Sequence, residues 1–157
     1  MQVHRAATLK VVRAKSSEAA TEAAGLMKFN DVGMVVVVDG EDQVLGVVTD
    51  RDIAMEIVAD GLDPKTPLES IMSHPAIWIF EDAEIEDAVQ LMARQGIRRV
   101  VVMNHRHQAT GVLSIDDLAL FSLGDQTVGR LLEKVAKKPL GEPYSSPAYG
   151  LDETVFP

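Results

Sequence analysis

Apolar residues along this chain alternate between two spacings, and the alternation occurs twice. Ala19, Ala20, Ala23, Ala24 and Met27 recur at intervals of three and four, the period of an amphipathic helix, with Ser16 and Ser17 as the expected N-cap. Two short β-rich runs follow, Met34–Val38 and Val44–Val48, separated by Asp39, Gly40, Glu41 and Asp42, a pattern that predicts a β-hairpin. A second helical stripe of Ile85, Ala88, Val89 and Met92, with Asp82 as its expected cap, precedes a second hairpin. That hairpin runs from Val100–Met103 through Asn104, His105, Arg106 and His107 to Thr110–Leu113. Leu9–Ala14 predicts a short strand ahead of the first helix.

A short helix is expected after each hairpin. Ile53, Ala54, Ile57 and Val58 face inward in the first, which stops at Gly61. Leu118, Ala119 and Phe121 do so in the second, which stops at Gly124. Gly96 and Asp31 are placed to end the two longer helices in the left-handed conformation, open to glycine and tolerated by aspartate.

The two halves are copies. Residues 26–53 overlie 91–118 at an offset of sixty-five without a gap, and nine of the twenty-eight positions are identical. The identities include Leu26/Leu91, Val35/Val100, Gly46/Gly111, Val47/Val112 and Asp52/Asp117, with Thr49/Ser114 and Val32/Ile97 as close exchanges. Self-similarity of this length implies one supersecondary unit used twice. The linker between copies is Asp63–Pro67, where Thr66, Pro67 and Glu69 suit an N-cap, a first-turn proline and a capping-box acid for a short helix to Met72. A closing helix is expected over Thr127–Lys138, with lysines in its last turns. The expected units are 1–73, 74–138 and a proline-rich tail, 139–157, that holds Tyr144, Tyr149 and Phe156.

Composition narrows the function classes. At 157 residues and 46% hydrophobic content the chain can bury a full core. Fifteen basic against twenty-four acidic residues give a net charge of −9, which disfavours a nucleic-acid backbone as partner. No apolar run approaches the ~20 residues that span a bilayer, and neither end has a signal-peptide pattern. The absence of cysteine excludes disulfides and thiolate metal sites, and makes the cytoplasm the expected location. His105, Arg106 and His107 read as a solvated turn, and Glu81, Asp82, Glu84, Glu86 and Asp87 as acids favoured by a helix N-terminus. Nucleophile-elbow and glycine-rich phosphate-loop patterns are missing, so no catalytic residue and no metal ligand is assigned and the chain is read as a non-enzyme.

The chemistry lies in Gly46-Val47-Val48-Thr49-Asp50-Arg51-Asp52 and its copy Gly111-Val112-Leu113-Ser114-Ile115-Asp116-Asp117. Thr-x-x-Asp by itself is a capping box. Strand, helix, hairpin, then Gly-φ-φ-Thr/Ser-x-x-Asp and a helix resembles the cystathionine β-synthase (CBS) domain, and two in tandem resemble a free-standing Bateman module. The resemblance covers roughly residues 9–138. It implies an α/β (α+β) fold of two pseudo-twofold-related repeats with two clefts for adenosine-type ligands. It also implies a role for each matching residue: Asp52 and Asp117 accept the two ribose hydroxyls, and Thr49 and Ser114 contact ribose or phosphate. The strands Val12, Arg13, Ala14 and Ile77 to Ile79 wall the base.

The copies differ in charge. Arg51 stands in the first motif where Asp116 stands in the second, and Arg98 and Arg99 open the second hairpin where the first has Gly33 and Met34. An acid beside a phosphate is unfavourable, so the first cleft is expected to be the better nucleotide site. The implied ligands are AMP, ADP or ATP, with S-adenosylmethionine and NAD ranked behind them, and no catalytic cofactor. The implied partners are a second copy of the chain, as a homodimer paired through the helices, and an unidentified regulated protein, with neither nucleic acid nor membrane. The competing reading is a ligand-free dimerisation or scaffold module.

Overall fold

The computed structural model describes residues 1–121 and Glu133. Gly124, the expected closing helix apart from Glu133, and the tail with its three aromatic residues lie outside the described residues.

Each repeat is a three-stranded mixed sheet. Strand β1 (Arg13–Lys15) leads into α1 (Ala20–Asn30), followed by the hairpin β2 (Met34–Val38) and β3 (Val44–Thr49). Strand β4 (Trp78–Phe80), α3 (Ile85–Gln95), β5 (Arg99–Met103) and β6 (Ala109–Ser114) repeat the pattern. Helix α2 (Asp50–Asp52) continues as a π-helix over Ile53–Ala59, and α4 covers Ile115–Phe121. In both sheets the first strand pairs parallel with the second and the second antiparallel with the third. The register repeats to the residue: Arg13 faces Val36 as Trp78 faces Val101, and Met34 faces Thr49 as Arg99 faces Ser114. Even the bulge recurs, between Val37 and Val38 and between Val102 and Met103. The turn residues Asp42 and His107 share positive φ values of 63° and 58°.

Strand β2 is buried along its whole length because both faces of its sheet are covered. Val35 and Val37 pack with Ala20, Ala23 and Met27 of α1, while Met34, Val36 and Val38 pack against Val101, Met103 and Ala109 of the other sheet. In the second repeat Val100 and Val102 face Ala88, Val89 and Met92 of α3. The layers are therefore helix, sheet, sheet and helix, with the alternation of side chains along β2 and β5 dividing helix core from inter-repeat core.

The segments leading into the repeats change sides. Residues 1–8 pack on the second repeat and residues 66–73 on the first. Val3 and Leu68, sixty-five apart and each fully buried, complete the cores of the second and first repeats respectively. The backbone bonds match at the same offset: Val3 N–H to Ala83 and Leu68 N–H to Glu18, Ile85 N–H to Met1 and Ala20 N–H to Thr66. Thr8 exchanges two backbone bonds with Val112, as Ser73 does with Val47.

Several helix boundaries differ from expectation. Ala19, not Ser16 or Ser17, precedes α1, and Glu22 Oε2 accepts the Ala19 N–H at 2.8 Å. Glu84, the counterpart of Ala19, and not Asp82 precedes α3, and Asp82 bonds His105 instead. Pro67 takes the cap position of a single 3-10 turn, Leu68–Ser70, since its extended backbone lets Leu68 enter the first core. The first strand starts at Arg13, with Leu9 66% exposed. Ile53 and Ile57 pack inward, but Ala54 and Val58 face solvent; the wider π winding leaves one residue per turn against the core. Leu118 is buried, whereas Ala119 and Phe121 are exposed. The left-handed endings hold, with φ of 54° at Asp31 and 62° at Gly96.

Candidate functional site

The end of β3 turns straight into a helix, and Asp52 closes that turn. Asp52 Oδ2 accepts the Thr49 N–H at 2.7 Å and the Thr49 hydroxyl at 2.8 Å, while the Asp52 N–H donates to Thr49 Oγ1 at 3.2 Å. A carboxylate offers about four acceptor positions. Two of them, both on Oδ2, are occupied, and no donor among the described residues reaches Oδ1. The cap thus fixes the carboxylate and leaves one oxygen available.

The second motif repeats the cap. Asp117 Oδ2 accepts the Ser114 N–H at 2.8 Å and the Ser114 hydroxyl at 2.6 Å, and the Asp117 N–H donates to Ser114 Oγ at 3.1 Å. Its other oxygen is engaged. Thr8, arriving with the N-terminal segment, donates its hydroxyl to Asp117 Oδ1 at 3.1 Å. Ser73 occupies the matching backbone position beside the first motif, but no bond from its hydroxyl to Asp52 is present among the described residues.

Both motif ends lie along one edge of the double sheet. Arg99, on the face of β5 turned toward the first repeat, reaches over this edge, with Nη1 3.9 Å from Asp50 Oδ1. The same guanidinium and Asp50 Oδ2 crowd Gly33, where an added Cβ would stand 2.6 Å from Arg99 Nη2 and 2.9 Å from the carboxylate. Side chains of both repeats therefore meet at the edge beside the first motif. Gly46 and Gly111 have a different reason: a Cβ on Gly46 would meet the Ser73 carbonyl oxygen at 2.5 Å, and one on Gly111 the Thr8 carbonyl oxygen at 3.0 Å. The motif glycines admit the crossing segments.

The other expected site residues divide. Arg51 is exposed in the first turn after Thr49, and its N–H donates to Asp50 Oδ1 at 2.9 Å. Val12 and Ile77 enter the sheets near the motif edge, their carbonyls accepting from Val36 and Val101. Ala14 and Ile79 pair with Val37 and Val102, farther along, and each packs toward the helix core of its own repeat. Arg13 runs away from the motifs: its Nη2 donates to the Ala109 carbonyl at 2.7 Å and its Nε lies 3.4 Å from Asp42, both at the hairpin-turn end. Arg98 is exposed, and its carbonyl accepts from Ile115. Thr8 is not legible as a site residue, since residues 1–8 share no identity with their counterparts at 66–73.

A second polar group lies at the opposite end of the second sheet. His105 Nε2 lies 2.9 Å from Asp82 Oδ2, and its ring stacks on Phe80 with centroids 4.5 Å apart. The hydrogen bond from His105, helped by the imidazole's charge, holds the Asp82 carboxyl below its usual range. The Thr110 hydroxyl donates to Glu81 at 2.9 Å. Glu81, Asp82 and Thr110, together with His4 and Leu9, line a shallow groove. Among the described residues no group of three or more His, Asp or Glu side chains is arranged to hold a metal ion.

Comparison with known proteins identifies the repeat. The family model for the CBS domain matches residues 4–59 and again 68–124, and the chain belongs to this family. It is 33% identical over 129 residues to the CBS domain-containing protein YhcV of Bacillus subtilis, covering 82% of this chain and 91% of that one. An uncharacterized protein of Methanopyrus kandleri is 32% identical over 119 residues, 75% of this chain, and the match spans only 61% of that longer protein. Among solved structures, a CBS domain protein of Pyrobaculum aerophilum complexed with AMP superimposes with a TM-score of 0.73 at 27% identity, covering 85% of this chain and 98% of that one.

Proposed function

We propose that this CBS-domain pair is a non-catalytic sensor that binds an adenine nucleotide in its first cleft and transmits occupancy to a partner protein. In this reading residues 1–73 and 74–138 are the two repeats and 139–157 a tail. The observation that carries the reading is the state of Asp52. Its Oδ2 is committed to the cap, which holds the group rigid, while Oδ1 keeps two acceptor positions for the two hydroxyls of a ribose. Arg99, inclined over the same edge toward Asp50, and Arg51 supply positive charge for a phosphate. AMP bound by the Pyrobaculum relative agrees with this chemistry. Val12 lies at the cleft edge to meet the base, whereas Arg13 is directed elsewhere.

A sensor needs an output, which arises when the ligand has different affinities for two arrangements. Phe29, Val58 and Leu120 are 89%, 77% and 74% exposed on the helical layers, apolar surface suited to pairing two copies of the chain. The same surface is the observation that favours the scaffold alternative, in which the clefts stay empty. No helix among the described residues is long and apolar enough to cross a membrane, and a cytoplasmic setting suits a nucleotide ligand. The ligand test is thermal unfolding and calorimetry with AMP, ADP, ATP, S-adenosylmethionine and NAD to millimolar concentration. Binding at a hundredfold excess over Kd adds about 2.7 kcal/mol of stability. The expected result is a raised midpoint with AMP, ADP or ATP and a weaker response to adenosine, which lacks the phosphate. No shift and no heat from any ligand leaves the scaffold reading in place.

A further inference from the structure

The difference between Asp52 and Asp117 lies outside the repeat motif. Both carboxylates are held by their own cap through Oδ2. Asp117 carries one further donor, the Thr8 hydroxyl on Oδ1. Counted in acceptor positions, Asp52 retains two and Asp117 one, while a vicinal diol presents two donors. The group that makes the difference belongs to residues 1–8, a segment anchored to the second repeat by the burial of Val3 and by the paired backbone bonds between Thr8 and Val112. Its hydroxyl is thus delivered by backbone pairing rather than by a free chain end.

We propose that Thr8 is an internal competitor for the second cleft: its hydroxyl occupies the position on Asp117 that a ribose hydroxyl would take, and so limits the chain to one nucleoside. The first cleft escapes because Ser73, at the equivalent place, makes no such bond. A ligand that did enter the second cleft would have to turn the Thr8 side chain away from Asp117, coupling occupancy of that cleft to the N-terminal segment. The inference rests on the ribose role proposed above for the two aspartates.

The test is a calorimetric titration with AMP of the full chain, of Thr8→Val, which keeps the shape and removes the donor, and of Thr8→Ser, which keeps the donor. Wild type and Thr8→Ser are expected to bind one AMP per chain. Thr8→Val is expected to bind a second, at least about tenfold tighter than any second event in wild type, and Thr8→Val combined with Asp117→Ala should lose it. One AMP for both wild type and Thr8→Val overturns the inference and leaves the first cleft intact. Two for wild type, with the second weakened in Thr8→Val, also overturns it, by making Thr8 a ligand contact. None for wild type and one for Thr8→Val supports the competitor and removes the first-cleft reading. None for either overturns both.

Discussion

At the edge of the first sheet Asp50 follows the capping threonine and Met34 begins the facing strand; in the second sheet the same two positions hold Ile115 and Arg99. The backbone beneath is the same in register, bulge and turn, so the exchange alters charge without altering shape. Arg99 crosses to Asp50 and brings a cation from the other repeat to the first motif. The second motif has Asp116 in place of Arg51 and Thr8 on its Asp117 carboxylate. A duplicated fold has thus kept its hydrogen-bonded frame while the surroundings of the two motifs differ, both within the motifs and through one residue from the opposite sheet and one from the N-terminal segment.

The comparison can be broken most forcefully in the core. Leu68→Ala removes a fully buried side chain from the first repeat and should cost about 2–5 kcal/mol. Val3→Ala, at the equivalent position in the second, should cost about 2 kcal/mol for the two carbons removed. Hydrogen exchange should place the losses on opposite repeats: faster exchange in α1 for Leu68→Ala and in α3 for Val3→Ala. Losses confined to the repeat that each residue precedes in sequence contradict the exchanged packing. The motif glycines come next. Gly46→Ala pushes a methyl group against the Ser73 carbonyl and should cost about 1–3 kcal/mol, roughly 2–4 °C of midpoint for each kcal/mol. Gly111→Ala meets Thr8 at a longer distance and should cost less. Equal midpoints for the two variants remove this asymmetry.

The smallest effect concerns Asp82 and His105, whose counterparts in the first repeat are Ser17 and Gly40. Asp82 is held below its ordinary value of 3.8, chiefly by the His105 hydrogen bond. A depressed carboxyl contributes stability that is fully present above pH 3.8 and is lost as pH falls through the lower folded-state value. The pair is exposed, so Asp82→Asn should lower the midpoint only slightly at neutral pH, with the difference from wild type vanishing in strong acid. A difference that grows below pH 3.8 contradicts that sign.

Much of this was legible in the sequence because periodicity and the offset of sixty-five carry the fold. Both hairpins, the left-handed endings at Asp31 and Gly96, and the two capping motifs follow from local rules that tertiary packing left undisturbed. What escaped depended on contacts between segments distant in sequence. Asp82 has the residue type of a cap but stands two residues ahead of the cap position, as Ser17 does in the first repeat, and its partner His105 is distant in sequence. Val58 looked like core until the π winding turned it outward. Arg13 lies in the first strand, which the resemblance places at the base wall, yet Asp42 and the Ala109 carbonyl direct it to the far end. Thr8 had no signal at all: Val3 and Leu68 share only an apolar character, and Thr8 and Ser73 only a hydroxyl, too little to reveal that the leading segments repeat as well.

The central claim is that Asp52, rather than Asp117, receives the nucleotide. Calorimetric titration of AMP into wild type, Asp52→Ala and Asp117→Ala, each first shown to be folded, tests it directly. A charge-assisted hydrogen bond contributes about 1.5–3 kcal/mol, so Asp52→Ala should weaken AMP at least about tenfold while Asp117→Ala leaves affinity near that of wild type. Equal losses in the two variants, or a loss only in Asp117→Ala, contradict the account.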